Sequence, residues 1–241
     1  MKSLKFAGLI FTLLVIGTVL FGCSTGRKTG AIEPFNGKDL NNWEFKDDKS
    51  KSKWVVGIAE MSVEDPNILI AKKGEGEMIN PAKRHRDSVD IYSKDKFGDC
   101  RIELELMVPK GSNSGVYVMG EYEIQVLDSF GKEKMENSDM GAIFGAAPPP
   151  VNACKKPGEW QKYVIEFVAP KFDAQGNKIA NAKFIKVELN GQVLHKNLEL
   201  PTLTPGGVTG KEASTGPIMF QGNHGPVAYR NIRITNLSDT K

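Results

Sequence analysis

Glu121, Glu123 and Gln125 recur at every second position of the stretch Glu-Tyr-Glu-Ile-Gln-Val-Leu-Asp, which closes at Asp128. A period of two puts these three on one face of a strand and Tyr122, Ile124 and Val126 on the other. The strand therefore has an apolar back and a front carrying two carboxylates and an amide. Such a front suits a sugar or small-molecule site on a sheet face, and an ordinary exposed strand reads the same way. The chain has three histidines, His85, His195 and His224. His85 sits in the basic cluster Lys83-Arg84-His85-Arg86, which reads as a solvated loop, and His195 falls on a strand expected to be exposed. His224 lies in Gln221-Gly222-Asn223-His224-Gly225-Pro226, a loop between two strand-like stretches. Loops on a rigid scaffold are favoured places for function, and a hydrogen-bonded turn histidine is the plain alternative.

The elements that must position these residues read as short strands. The turn Gly111-Ser112-Asn113-Ser114-Gly115 opens a strand over Val116 to Met119, and Gly120 joins it to the Glu123 strand. Cys100, Ile102, Leu104, Leu106 and Val108 alternate with Arg101, Glu103 and Glu105 until Pro109 ends the run. Trp160 to Val168 places Tyr163, Ile165 and Phe167 on one face. Lys183 to Leu189 and Gln192 to His195 flank Asn190-Gly191, whose positive φ preference predicts a two-residue hairpin. Trp54 to Val56, Asn67 to Ile70 and Val89 to Tyr92 are strand-like, Lys72 to Asp87 reads as a polar loop, and Ser129 to Asp139 has room for a helical turn. In the last strand Val227 and Tyr229 share one parity, Ile232 and Ile234 the other, so a β-bulge is expected at Arg230-Asn231. Many short, turn-bounded strands and no long helix predict an all-β sandwich or jelly roll.

Composition narrows the function classes. The 241 residues hold 25 Gly and 13 Pro, in keeping with a turn-rich β fold. Removing Lys2 and Lys5 with an N-terminal signal leaves 30 basic against 29 acidic residues, a net of +1. Nucleic-acid binding needs a concentrated basic surface that this balance does not supply. There is no P-loop, no dinucleotide fingerprint, no Gly-x-Ser-x-Gly and no zinc-type His/Cys spacing.

Lys2 and Lys5, the uncharged run Phe6 to Leu20, and Leu20-Phe21-Gly22-Cys23 before a polar turn have the layout of a secretory signal ending in a bacterial lipoprotein box. The division expected is a signal over 1–22, a lipidated tether over 23–33 starting at Cys23, and a β domain over 34–238. Acyl chains on Cys23 would hold the domain at a membrane in the cell envelope, and the lack of an acidic run after Cys23 favours the periplasmic side. Cys100 and Cys154 are expected to stay unpaired.

A set of motifs comes in a recognisable order. It runs through Phe35-Asn36-Gly37-Lys38-Asp39-Leu40 with Trp43, Ser93 to Asp99, Ser112-Asn113-Ser114-Gly115-Val116-Tyr117, Tyr122 to Asp128, and Gly141-Ala142-Ile143-Phe144-Gly145. Gly158-Glu159-Trp160, Leu189-Asn190-Gly191, and Gln221 to Gly225 with Tyr229-Arg230-Asn231-Ile232 complete it. Together they resemble the 3-keto-disaccharide hydrolase domain family, over about residues 33 to 238. The resemblance implies a concanavalin- or laminin-G-like jelly roll that cleaves glycosides already oxidised to a ketone at C3 by a partner sugar 3-dehydrogenase. A C3 ketone acidifies the C2 proton, its removal lets the group at C1 leave, and water adds back. Ordinary glycosidases instead flank the bond with two carboxylates.

On this resemblance Glu123 or His224 is the base at C2, the other a general acid or positioning group, and Arg230 stabilises the enolate oxygen. Asn113, Gln125 and Gln221 would hold sugar hydroxyls, Tyr117 or Trp160 would stack on the ring, and Asp128 would orient a partner or cap a turn. Asn223 stands where the family often has Asp, which puts a His–Asp pair in question. No cofactor is implied, and room is left for a divalent metal on Glu123, Asp128 or His224. Two other readings stay open: a carbohydrate-binding module of the same fold, and an ordinary glycosidase using the Glu121-Tyr122-Glu123 alternation.

Overall fold

The structure, a computed structural model, describes residues 30–239. The expected signal and Cys23 lie outside the described residues. The strands are β1 (Trp43–Phe45), β2 (Val55–Met61), β3 (Leu69–Asn80), β4 (Ile91–Ser93), β5 (Cys100–Met107), β6 (Asn113–Val118) and β7 (Tyr122–Leu127). They continue as β8 (Gln161–Val168), β9 (Lys171–Phe172), β10 (Lys178–Ala180), β11 (Ala182–Leu189), β12 (Gln192–Leu200), β13 (Met219–Phe220) and β14 (Val227–Asn236). Among the described residues the only helical elements are two short 3₁₀ turns, Lys49–Lys51 and Leu237–Asp239.

Two antiparallel sheets form a jelly-roll sandwich. One has five strands in the order β1-β4-β13-β6-β7, the other seven in the order β12-β11-β8-β5-β14-β3-β2, and β9 and β10 make a separate ribbon. Alternation along each strand supplies the core. Tyr122, Ile124 and Val126 of β7 meet Ile102, Leu104 and Leu106 of β5 and Tyr163, Ile165 and Phe167 of β8, all buried. Aromatic rings join the two layers: Phe220 of β13 stacks on Tyr229 of β14 at 3.9 Å, and Tyr122 meets Phe167 at 5.2 Å. A smaller apolar cluster of Ala59, Leu69, Ile79, Met107 and Ala228, with Trp160 packed on it, covers the outer side of the seven-stranded sheet.

The Asn190-Gly191 hairpin forms as expected, with both residues at positive φ. The bulge forms too: the β14–β5 register shifts between Arg230 and Arg233, with Asn231 at φ 52°. Both remaining cysteines are free, and burial pushes the Cys100 thiol up to about 12.

Three expectations fail. The stretch from Lys72 is strand as far as Asn80, because β2 pairs with it on one side and β14 on the other. Its middle is exposed on both faces and so shows no apolar period. Ser129 to Asp139 makes turns rather than a helix: Asp139 is buried and gathers the segment by accepting from the Glu136 amide at 2.6 Å and pairing with Lys132 at 2.7 Å. His195 is buried, its Nε2 at 2.9 Å from the Gly141 carbonyl oxygen.

Candidate active site

The outer face of the five-stranded sheet carries the polar row anticipated on β7. Cross-strand pairing sets Glu123 beside Tyr117 of β6, Tyr117 beside Met219 of β13, and Met219 beside Tyr92 of β4. The next row holds Gln125 beside Gly115, whose carbonyl accepts the Gln221 amide at 3.0 Å. Gly115 leaves room that no other residue would, since a Cβ there would lie 2.3 Å from Glu123 Oε1.

A cavity of about 210 Å³ opens over these rows. Asn113, Tyr117, Glu123, Gln125, Gln221 and His224 line it, with Phe144, Pro205 and Gly206 closing the sides. Six of the residues anticipated from sequence therefore come together, and the Glu123 carboxylate and the His224 ring face one space. Phe144 is held there by its backbone N–H, which donates to the Glu123 carbonyl oxygen at 3.2 Å. The Glu123 amide donates to Thr204 Oγ1 at 2.8 Å, which anchors the strap carrying Pro205 and Gly206.

The charges in and around the cavity are tuned by one another. Burial pushes the Glu123 carboxyl up to about 7. The hydrogen bond from Tyr117 opposes this, the Asp90 carboxylate adds to it, and Lys46 opposes it. His224 is held below its usual range by burial and by the neighbouring His85, whose ring meets it edge-on at 4.6 Å between centroids. His224 Nδ1 hydrogen-bonds Asn223 Oδ1. An amide oxygen only accepts, so Nδ1 carries the proton and Nε2 is left as the basic end. Asn223 thus does the orienting that an aspartate would do, without its charge. Gln125, 3% exposed, donates through Nε2 to Asn113 Oδ1 at 3.0 Å, and its Oε1 has no partner. A buried acceptor of that kind is satisfied when a ligand hydroxyl reaches it.

Sequence reasoning missed the support of this site. Asp90, 2% exposed, accepts from the amides of Gly222 and Asn223 at 2.9 and 3.3 Å and so pins the His224 loop. Asn80 Nδ2 donates to the Gly222 and Gly225 carbonyls at 2.7 and 2.9 Å and holds the loop's other side. Lys46 Nζ lies 3.8 Å from Asp90 and 2.6 Å from the Gly206 carbonyl oxygen, and its charge acts on Glu123 from behind the strap. A lone acid between Val89 and Ile91 was the signal available for Asp90. Lys46 and Asn80 had none.

Three anticipated residues lie elsewhere. Arg230 projects from the outer face of the seven-stranded sheet, the opposite side of the sandwich from Glu123. There it bonds Glu105 at 2.7 Å and Glu77 at 3.2 Å and lies 3.8 Å over the Trp160 ring. Trp160 is committed to the same outer cluster. The reason is parity: Arg230 follows Ala228 on one face of β14, while Tyr229 points to the core. Asp128 caps a turn, accepting from the Gly111 amide at 2.9 Å and the Phe130 amide at 3.3 Å. Among the described residues no group of three or more His, Cys, Asp or Glu is placed to hold a metal ion. Removing Arg230 takes their shared cation from Glu77 and Glu105, which keep the Ala59 amide and the Asn231 side chain respectively, so R230A is expected to lower stability by about 1–3 kcal/mol. Thermal melts and a turnover assay run side by side check this: activity at the permissive temperature stays within about threefold of the parent.

The profile of the 3-keto-alpha-glucoside-1,2-lyase-like domain matches residues 30–235. A protein of Bacteroides thetaiotaomicron named 3-keto-disaccharide hydrolase is 31% identical over 164 residues, which is 56% of this chain and 52% of that protein. The chain thus spans about half the length of the curated relative it matches. A crystal structure from Parabacteroides distasonis, of a protein provisionally named a glycosyl hydrolase, superposes with TM-score 0.63 at 30% identity, covering 86% of this chain and 84% of that one. A second from the same organism, with TM-score 0.56 at 17% identity over 86% and 94% of the two chains, shares the fold. From the profile match across nearly all the described residues, the chain belongs to the 3-keto-alpha-glucoside-1,2-lyase-like domain family.

Proposed function

We propose that this chain cleaves the glycosidic bond of 3-keto-glycosides by taking the proton at C2. The observation that carries the proposal is a buried carboxylate, Glu123, poised near neutrality in a cavity it shares with a neutral imidazole. A general base works best when its pKa lies close to the working pH. Glu123 removes the C2 proton, the electron pair passes toward the C3 carbonyl, and the C1–O bond breaks. The departing oxygen takes the proton from Glu123. Water then adds at C1 as His224 Nε2 accepts its proton, and C2 is protonated in turn, so the sum is hydrolysis. Lys46 supplies the positive charge that the enolate needs, the part Arg230 is too distant to play. Gln125, Asn113 and Gln221 receive ring hydroxyls, and Tyr117 donates to Glu123 and fixes its orientation.

The substrate class implies an oxidoreductase that makes the C3 ketone, and tethering through Cys23 at the envelope would hold the two activities in one compartment. The test is direct. The purified chain is given a 3-keto glycoside and the parent glycoside, and aglycone release is followed. Release from the keto sugar alone is expected, since only the ketone makes C2 acidic. Equal release from both would point to ordinary glycosidase chemistry, and binding with no turnover of either to a carbohydrate-binding module.

A further inference from the structure

We propose that a second cavity on the same sheet face binds a six-membered ring carrying a carboxylate, with a hexuronate as its leading form. This cavity is about 520 Å³, within the ~300–1,000 Å³ range of small-molecule sites. It lies across the strap from Glu123: Pro205 and Gly206 wall the Glu123 cavity, while Val208 and Thr209 wall this one. The strap is pinned along its length. The Tyr117 hydroxyl lies 3.1 Å from the Pro205 carbonyl oxygen, Val208 donates its amide to the Gly120 carbonyl at 2.8 Å, and Thr209 its amide to Glu121 Oε1 at 2.7 Å. The second cavity is therefore a separate space, and its ligand is independent of the reaction proposed for Glu123.

Its surface has the division that ring recognition needs. Met119, Val208 and Pro217 give an apolar floor for the C–H face of a ring. The acids beside that floor keep their charge but have hydrogen-bond donors of their own. Glu121 accepts from the Thr209 amide and hydroxyl and from the Gly210 amide, at 2.7, 2.8 and 3.1 Å. Glu44 takes the Tyr92 hydroxyl. Behind the Tyr122 ring, Glu212 accepts the Tyr122 hydroxyl at 2.7 Å and pairs with Lys178 at 2.7 Å. The lining cations are not committed: Lys94, Lys96 and Lys211 have no ion pair among the described residues. Lys94, Lys96 and Lys211 set against the Glu44 and Glu121 carboxylates leave the lining with a net charge of 3 − 2 = +1, which favours an anion. A compact carboxylate on the rim of a ring matches it, with the ring seated on the apolar floor.

Calorimetric titration of the full chain with glucuronate, benzoate and glucose tests this. Glucuronate should bind saturably and about tenfold more tightly than glucose, and weaken about fivefold or more between ~50 mM and ~500 mM salt. K94S/K96S/K211S should cost about tenfold, and A213W, which fills the cavity from its exposed wall, should abolish binding with the melting temperature unchanged. E123Q should leave the affinity as it is. Benzoate binding as tightly as glucuronate would extend the site to any ring carboxylate, and weaker benzoate binding would confine it to sugar acids. Glucose matching glucuronate, affinity unmoved by both cavity variants, no saturable binding, or binding lost in E123Q would each overturn the proposal; the last would put the ligand in the Glu123 cavity.

Discussion

E123Q is expected to lower turnover of a 3-keto glycoside by about 10²–10⁴-fold, the usual worth of a general base, while the protein stays folded. The amide keeps the shape and the hydrogen bond from Tyr117 but cannot take a proton. The pH dependence gives the assignment a signature that a structural role lacks. The Glu123 carboxyl sits at about 7 against an ordinary 4.5, so the rate should rise with pH through about 7 and level off above it. E123Q should lose that limb altogether. Stability moves the other way. A carboxyl raised in the folded state binds its proton more tightly there than in the unfolded chain. Ionisation then favours unfolding, and the cost grows as pH climbs from the ordinary value through about 7, up to about 3 kcal/mol. Gln removes that cost, so E123Q should melt at the same temperature as the parent below pH 4 and at a higher one at pH 8. A variant that kept full rate, or kept the limb near pH 7, would remove Glu123 from the reaction.

The second large effect is expected at Lys46. K46M should reduce kcat by about 10²-fold, the lower end for loss of a group that stabilises developing negative charge. Two roles are distinguishable here. Lys46 lowers the pKa of Glu123, so its removal should push the rising limb of the pH–rate profile above the parent's. It also ties the strap to the sheet through the Gly206 carbonyl oxygen. If anchoring the strap were all it did, K46M would raise KM and leave the limb where it was. The profile, measured from pH 5 to 9 with kcat and kcat/KM separated, decides between them. An unchanged kcat would leave the enolate without the counter-charge proposed for it.

Much of the site was readable because alternation is a local property. Glu123 and Gln125 share a face with each other, and Tyr122, Ile124 and Val126 share the other, whatever the strand pairs with. Asn113 was not legible as a strand residue: the Gly- and Ser-rich run Gly111–Gly115 reads as a turn, and only pairing with Leu127 of β7 makes Asn113 the first residue of β6. His224 was legible as a loop residue between two strands, and the bulge at Arg230-Asn231 as a break in parity. The hairpin at Asn190-Gly191 needed only the preference of those two residues for positive φ. Strand β3 was not legible beyond Lys72, because neighbours on both sides supply its pairing and its own exposed middle carries no period.

What this chain's sequence determined alone is a sandwich of short strands with an acidic and amide-bearing strand front, and a histidine loop able to join it. Tertiary structure decided which outward face each polar residue occupies. A two-sheet sandwich has two such faces pointing in opposite directions, and parity cannot tell them apart. Glu123 and Arg230 each lie on the outer face of their own sheet, yet only the pairing order of β7 with β6 and of β14 with β5 puts them on opposite sides of the molecule. The same long-range closure brings Asp90 and Asn80 to the His224 loop and Lys46 to the strap at Gly206, from positions far from Glu123 along the chain.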